Sequence, residues 1–179
     1  MERVIICSGD HVSLAVLVRE DAPVLYRIIN DPEVHRFLSS PSRIYSLVDE
    51  YEWIDNSANI YEKSVNFAII ENKTKEVTGI IGINPIDSDR NGHVGYFLSR
   101  DKWGMGYMTE SLKLMVEFSF NTMNLRKLYT NVYKPNEASK KVLEKNGFKH
   151  SGTMKDHHFV PGYGYVDEFY YELINKNYK

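Results

Sequence analysis

The sequence predicts a mixed α/β (α+β) domain with a mainly antiparallel sheet, and two observations support this fold class. Most runs rich in β-branched and aromatic residues are joined by short polar turns, which is typical of antiparallel strands. One such run, residues 94–99, instead leads through a turn with two glycines into a long helical pattern and then a further strand. A strand–helix–strand unit forms a right-handed crossover, so these two strands should be parallel neighbours.

The predicted order along the chain is ββ–α–α–βββ–α–β–α–ββ. The predicted strands span residues 3–7, 11–18, 65–71, 77–86, 94–99, 126–133, 148–159 and 163–174. The first helix begins after Arg19-Glu20-Asp21, which supplies acidic residues at a helix start, and ends before Pro32, because the residue before a proline avoids the helical conformation. A further helical turn is predicted over residues 33–38. The residues between the helices and strands include two polar loops, 39–42 and 56–63.

The other helices follow from apolar residues at helical spacing. The second helix is predicted over residues 46–56. Its predicted buried face consists of Leu47, Val48, Tyr51 and Ile54. The long helix begins at Met105, and its apolar positions are Met108, Leu112, Met115, Val116, Phe120 and Met123. The last helix begins at Pro135-Asn136 and ends before Gly147, where glycine permits the positive φ of a helix C-cap.

Composition limits the class of protein. A chain of 179 residues with 42% hydrophobic and 26% charged residues is expected to form one domain over residues 1–179. The net charge of −2 gives no reason to expect a nucleic-acid or membrane partner. No apolar run approaches the roughly 20 residues that span a bilayer. A single cysteine, Cys7, together with the lack of a signal-peptide pattern, predicts a cytoplasmic protein.

The turn Trp103-Gly104-Met105-Gly106 predicts an anion site. Two glycines separated by one residue allow a tight turn and leave no Cβ between the amides and a ligand. The helix that follows adds the positive end of its dipole, which favours a phosphate or pyrophosphate. The spacing matches neither common nucleotide loop, GxxxxGK[ST] or GxGxxG. An ordinary strand–turn–helix connection would also explain this segment alone.

Four blocks of the sequence together resemble a known family. They are Ile29-Asn30-Asp31-Pro32-Glu33-Val34, Trp103-Gly104-Met105-Gly106-Tyr107, Asn131-Val132-Tyr133 followed by Asn136-Glu137-Ala138-Ser139, and Leu143-Glu144-Lys145-Asn146-Gly147-Phe148. Their order and spacing resemble the GNAT acyl-CoA N-acyltransferases, and within them the RimJ/RimL-type ribosomal-protein and spermidine N-acetyltransferases. The resemblance covers residues 14–173 and implies a sheet splayed at its parallel strand pair.

The resemblance implies acetyl-CoA as co-substrate, bound where the parallel strands separate. The pantetheine arm would form hydrogen bonds with the backbone of Phe97, Leu98 and Ser99. The pyrophosphate would accept hydrogen bonds from the backbone amides of the glycine turn and of the first turn of the helix that follows. Lys102 would add charge, and Asn131 and Asn136 would contact the arm, although Asn136 also suits a helix N-cap. The turn residues expected to bind are Gly104, Met105, Gly106, Tyr107, Met108 and Thr109. Relatives commonly carry Gln or Arg where this chain has Asp101, so the contacts there should come from the backbone.

The resemblance also implies catalytic residues. Ser139 lies where RimJ/RimL-type enzymes use a serine to return a proton to the CoA thiolate, whereas Leu143 replaces the tyrosine that other relatives use. A solvated helix serine is the alternative for Ser139. His158 is the expected base, since relatives often carry a glutamate there and histidine titrates near pH 6.5. Asp156, Glu110 and a water chain are the alternatives. A backbone N–H near Leu98 would bind the oxyanion.

The expected activity is acetyl transfer to a primary amine, with no metal required. A protein N-terminus, a polyamine and another small amine all remain open as acceptors, with the acceptor surface around residues 29–37 and 159–165. Aromatic Tyr163 and Tyr165 would flank the amine there, or would pack on the sheet. A non-catalytic acyl-CoA-binding sensor and a ligand-free structural domain are the alternative functions. Homodimers are common among the relatives.

Overall fold

The structure, a computed structural model, describes residues 3–38, 43–57 and 62–178. Its described part contains one sheet with the strands β1 (Ile5–Ser8), β2 (Val12–Val16), β3 (Val65–Glu71), β4 (Val77–Ile86), β5 (Asn91–Leu98), β6 (Lys127–Tyr133), β7 (Lys149–Val160) and β8 (Gly164–Ile174). Their order across the sheet is β1-β2-β3-β4-β5-β6-β8-β7. Within this sheet β5 and β6 are parallel, and the other neighbouring strands are antiparallel. The predicted mixed sheet is therefore confirmed.

The helices connect the strands in the predicted order. They are α1 (Ala22–Ile29), α2 (Pro32–His35), α3 (Leu47–Ser57), α4 (Tyr107–Asn121) and α5 (Glu137–Lys145). Single turns of 3-10 helix precede α1 at Arg19–Asp21 and follow β5 at Arg100–Lys102. In the described residues, no helix is long and apolar enough to cross a membrane.

Each face of the sheet packs against a different set of helices. On the α4 face, Leu98 of β5 packs in one core with Leu112 of α4 and Leu143 of α5. On the α1 face, Ala68 of β3 packs in a second core with Leu25 of α1 and with α3. Because side chains alternate along a strand, neighbouring residues of β5 and β6 face opposite cores.

β5 and β6 separate after a short paired region. Asn91, Gly92 and His93 of β5 align with Lys127, Leu128 and Tyr129 of β6. Beyond His93, β5 continues to Leu98 along β4, while β6 continues to Tyr133 along β8. The gap between residues 94–98 and residues 130–133, called the fork below, is the separation that the family resemblance implied.

Several element bounds shift by one to three residues, among them the helical turn predicted over 33–38, which is α2 at Pro32–His35. Three further details differ from the sequence prediction. β5 begins at Asn91 rather than residue 94, because the preceding turn is shorter than predicted. α4 begins at Tyr107 rather than Met105, because Gly106 has a φ of 83°, outside the helical region. Val48 is 62% exposed rather than buried. Leu47, Tyr51 and Ile54 of α3 face the core at the spacing i, i+4, i+7, which turns Val48 towards solvent.

The predicted loop over residues 39–42 lies outside the described residues, as do residues 58–61 of the predicted loop over 56–63.

Candidate functional site

The edge of β5 directs backbone groups towards the fork. Ser99 N–H donates to the Thr78 carbonyl at 2.8 Å, so Ser99 is paired towards β4. Peptide groups along an antiparallel strand point alternately to its two sides, so those of Leu98 and Tyr96 point away from β4. Three residues were predicted to pair with the pantetheine arm. Of these, Leu98 directs its backbone groups into the fork, whereas Phe97 and Ser99 direct theirs towards β4.

The glycine turn leaves space for a ligand at the start of α4. Gly104 and Gly106 have φ angles of 77° and 83°, which favour glycine. A Cβ added to either would meet no atom of residues 3–38, 43–57 and 62–178 within 4 Å, so the space above both glycines is open in the described structure. The first amides of the 15-residue helix α4 follow this turn. Met108 contributes its backbone, since its side chain is buried in the core.

The buried carboxylate of Glu71 holds the residues on either side of this turn. Glu71 accepts hydrogen bonds from Lys102 Nζ at 2.8 Å, from the Tyr107 hydroxyl at 2.6 Å and from Thr74 Oγ1 at 2.9 Å. These partners, Lys102 first, lower the pKa of Glu71 to about 2. The predicted phosphate ligand Lys102 is therefore already paired. Trp103 donates its indole N–H to the Leu98 carbonyl at 3.0 Å, which connects the turn to the end of β5.

A tyrosine and a serine meet on the α4 face of the fork. The hydroxyls of Tyr96 and Ser139 lie 2.9 Å apart. Burial raises the pKa of Tyr96 to about 12, so its hydroxyl stays protonated at neutral pH. Asn136 caps α5 by accepting the Ser139 N–H at 3.2 Å, which fixes the first turn of that helix. Leu143 is fully buried and packs in the core.

A row of polar side chains crosses the α1 face of β5, β6 and β8. His93 Nε2 lies 2.9 Å from Asn131 Oδ1, and Asn131 Nδ2 donates to Glu168 Oε1 at 2.5 Å. The Tyr170 hydroxyl donates to the other oxygen of Glu168 at 3.1 Å. Glu168 is only 5% exposed. The predicted cofactor ligand Asn131 thus directs its side chain to the face opposite Ser139.

His158 lies on the same face as this polar row. Its ring stacks on Tyr133, with the centroids 4.1 Å apart and the planes 7° apart. Its Nε2 atom is buried and has no hydrogen-bond partner among the residues that the structure describes. Burial, the first cause, and the negative charge of Glu168 raise the pKa of Tyr133 to about 12. A buried ring nitrogen without a partner is able to accept a proton from a ligand bound beside it.

The alternative bases have other contacts. Glu110 accepts the N–H groups of Asp10 and His11 in the β1–β2 turn and so joins that turn to α4. Asp156 is exposed and has a φ of 45° in an irregular part of β7. The His157 side chain is half-exposed and lies 3.6 Å from Glu168.

The two predicted acceptor loops meet. Phe37, after α2, contacts Tyr163 in the β7–β8 turn, with the ring centroids 6.2 Å apart. Tyr165 is 70% exposed and packs edge-on against Phe159. Residues around 37 and around 163 therefore form one aromatic surface rather than two separate loops.

Tyr96 and Glu168 are the site residues that the sequence did not single out. A signal for Tyr96 was available, because it alternates with the core residues Val94 and Leu98 and so carries a hydroxyl into an apolar face. Glu168 gave no comparable signal. Its burial depends on contacts with β6 that sequence spacing does not reveal.

Comparisons with known proteins bear on the family and the fold. A family model described as Acetyltransferase (GNAT) domain matches residues 11–149. The protein named uncharacterized N-acetyltransferase p20 from Bacillus licheniformis is 28% identical over 171 residues, which cover 94% of this chain and 96% of that protein.

Solved structures share the fold. The spermidine N-acetyltransferase from Vibrio cholerae, in complex with CoA and spermine, superposes with a TM-score of 0.84 at 19% identity, covering 95% of this chain and 99% of that one. The ribosomal-protein-S5-alanine acetyltransferase from Vibrio fischeri superposes with a TM-score of 0.83 at 20% identity. The superposition covers 98% of this chain and 99% of that one. At these identities both likenesses establish the fold alone.

Proposed function

The chain belongs to the GNAT acetyltransferase family, as its sequence resemblance indicated, and from this we propose that it transfers an acetyl group from acetyl-CoA to a primary amine. The observation that carries the proposal is the fork, where the Leu98 backbone points away from β4 and is followed in the chain by a glycine turn with open space above it. Both features suit one extended ligand with an amide-rich arm and a pyrophosphate.

The residues of the fork fit acetyl-CoA. The open space above Gly104 and Gly106 and the amides of α4 suit the pyrophosphate. The Leu98 N–H suits an amide or carbonyl oxygen of the arm. When bound, acetyl-CoA supplies a thioester whose carbonyl carbon is attacked by an amine. The backbone of β5 would then hold the arm in a fixed orientation, which lowers the entropic cost of the reaction.

The first task of the protein is to supply a proton to the departing sulfur. We assign it to Ser139 and Tyr96, whose hydroxyls are hydrogen-bonded to each other. The Tyr96 hydroxyl is protonated at neutral pH and can replace the proton that Ser139 gives up. Such a pair shares the role, so neither hydroxyl needs to act alone.

The second task is to remove a proton from the amine. We assign it to His158, because its buried Nε2 has no hydrogen-bond partner within the described part of the chain and its ring lies on the face of the sheet opposite Ser139. The amine would then approach from the α1 face, with Tyr133 forming one wall. Phe37 and Tyr163 would form the outer part of the same acceptor surface.

The acceptor is a primary amine of a protein N-terminus, a polyamine or another small molecule. Of the two fold neighbours, one is named for an alanine of a ribosomal protein and the other for the polyamine spermidine. The decisive experiment is a screen for CoA release with peptide N-termini, polyamines and amino acids. We expect one class to release CoA well above the rate of acetyl-CoA hydrolysis. Tight acetyl-CoA binding with no release from any amine would instead favour the acyl-CoA sensor.

We predict that Ser139→Ala and Tyr96→Phe each lower kcat by about 10-fold to 10²-fold, because each removes part of the proton supply. KM for acetyl-CoA should change little. The double variant should lose less than the product of the two single effects, since the hydroxyls act as a unit. Steady-state kinetics of all four proteins measures this coupling. Independent, multiplicative losses would show that the hydroxyls do not share the task.

We predict that kcat/KM of the wild-type protein rises with pH across the range of about 5 to 8 in which histidines titrate, because a base must be neutral to accept a proton. The acceptor amine, with a pKa of about 8 for a peptide N-terminus, adds a second rising limb at higher pH. His158→Gln should remove only the lower limb and leave acetyl-CoA affinity unchanged. His150→Gln is the matched control, since His150 lies in β7 on the exposed surface. Persistence of the lower limb in His158→Gln would exclude His158 as the base.

A further inference from the structure

β7 contains a bulge immediately before His158. Met154 aligns with Glu168 and His158 aligns with Val166, so three residues of β7 lie opposite one residue of β8, Asp167. The middle residue of the bulge, Asp156, has a φ of 45°. Bulges of this kind often redirect a side chain beside an active site.

The carboxylate of Asp167, which lies on β8 opposite the bulge, accepts hydrogen bonds from bulge residues. Asp167 is 7% exposed. Its Oδ1 accepts the Asp156 N–H at 3.3 Å, and its Oδ2 accepts from Lys155 Nζ at 3.0 Å and Lys134 Nζ at 3.3 Å. The Asp167 carbonyl also accepts the Lys134 N–H at 2.9 Å. One side chain thus joins the bulge to the end of β6.

The bulge sets the register of β7 against β8 and so determines which residue of β7 stacks on Tyr133. It adds two residues to β7 relative to β8, and without them Asp156 rather than His158 would align with Val166. Each strand residue advances about 3.3 Å, so His158 would move by about 7 Å along the strand. The ring would then leave its stacked position on Tyr133.

We propose that Asp167 is a positioning residue for the transfer reaction, acting through the bulge to place the His158 ring against Tyr133. This inference rests on the proposed function, in which His158 removes the amine proton. The two lysines help to keep the carboxylate charged, and with the Asp156 N–H they lower the pKa of Asp167 to about 2.

The first measurement is the NMR chemical shift of the His158 ring protons, assigned by comparison with His158→Gln. In the wild-type protein, stacking on Tyr133 should shift them upfield through the ring current. Asp167→Ala should return them towards the position of an unstacked histidine. Its kcat should fall by about 10²-fold, because the base is displaced, whereas KM for acetyl-CoA should stay unchanged.

A second pair of variants tests the bulge without altering Asp167. Asp156→Pro removes the N–H that Asp167 accepts and cannot adopt a positive φ, so the upfield shift should be lost. Asp156→Gly keeps the N–H and favours a positive φ, so the shift should remain. If Asp167→Ala does not fold, the comparison of Asp156→Pro with Asp156→Gly tests the role of the bulge instead.

Asp21→Asn is the matched control for loss of a buried carboxylate. Asp21 is 2% exposed and pairs with Arg3, and it lies in the turn before α1. This variant should lose stability but keep the His158 shift and kcat. A folded Asp167→Ala with wild-type shift and kcat would overturn the proposal. The shift is measured without substrate, so it still tests the position of His158 if no amine is acetylated and the proposed function fails.

Discussion

The fork between β5 and β6 is the feature on which the site depends. The two strands align at three positions and then continue with different neighbours, β4 on one side and β8 on the other. Strands that remained paired would use the Tyr96 and Leu98 peptide groups in the sheet. Their separation releases these groups from pairing within the sheet. The Leu98 carbonyl instead accepts the Trp103 indole N–H, and the glycine turn before α4 has open space above it. The crossover helix between the strands brings the turn and the fork together.

The alternation of side chains gives the fork two chemically different faces. On the α4 face, Tyr96 and Ser139 form a hydroxyl pair at the start of α5. On the α1 face, Asn131 and Glu168 form a polar row, and His158 stacks on Tyr133. The proton given to sulfur and the proton taken from the amine are therefore assigned to opposite faces of the sheet.

Sequence predicted the fold well and the site in part. Element order and the parallel pair follow from local patterns and crossover geometry, and the family resemblance is confirmed by the match over residues 11–149. Contacts between distant residues were not predictable: Lys102 pairs with Glu71, 31 positions earlier, rather than remaining free for a phosphate. The bulge in β7 depends equally on a contact with β8. Roles for Ser139 and His158 stay predictions.

The central claim is that the fork binds acetyl-CoA through the backbone of β5. Residue-resolved amide hydrogen exchange, with and without acetyl-CoA, tests it most directly. The account predicts slower exchange at Leu98 and at the amides of the glycine turn. Ser99 should change little, because its N–H already donates to Thr78. ATP, which has a polyphosphate but no pantetheine arm, should leave Leu98 unprotected. Unchanged exchange at Leu98 with saturating acetyl-CoA would contradict the account.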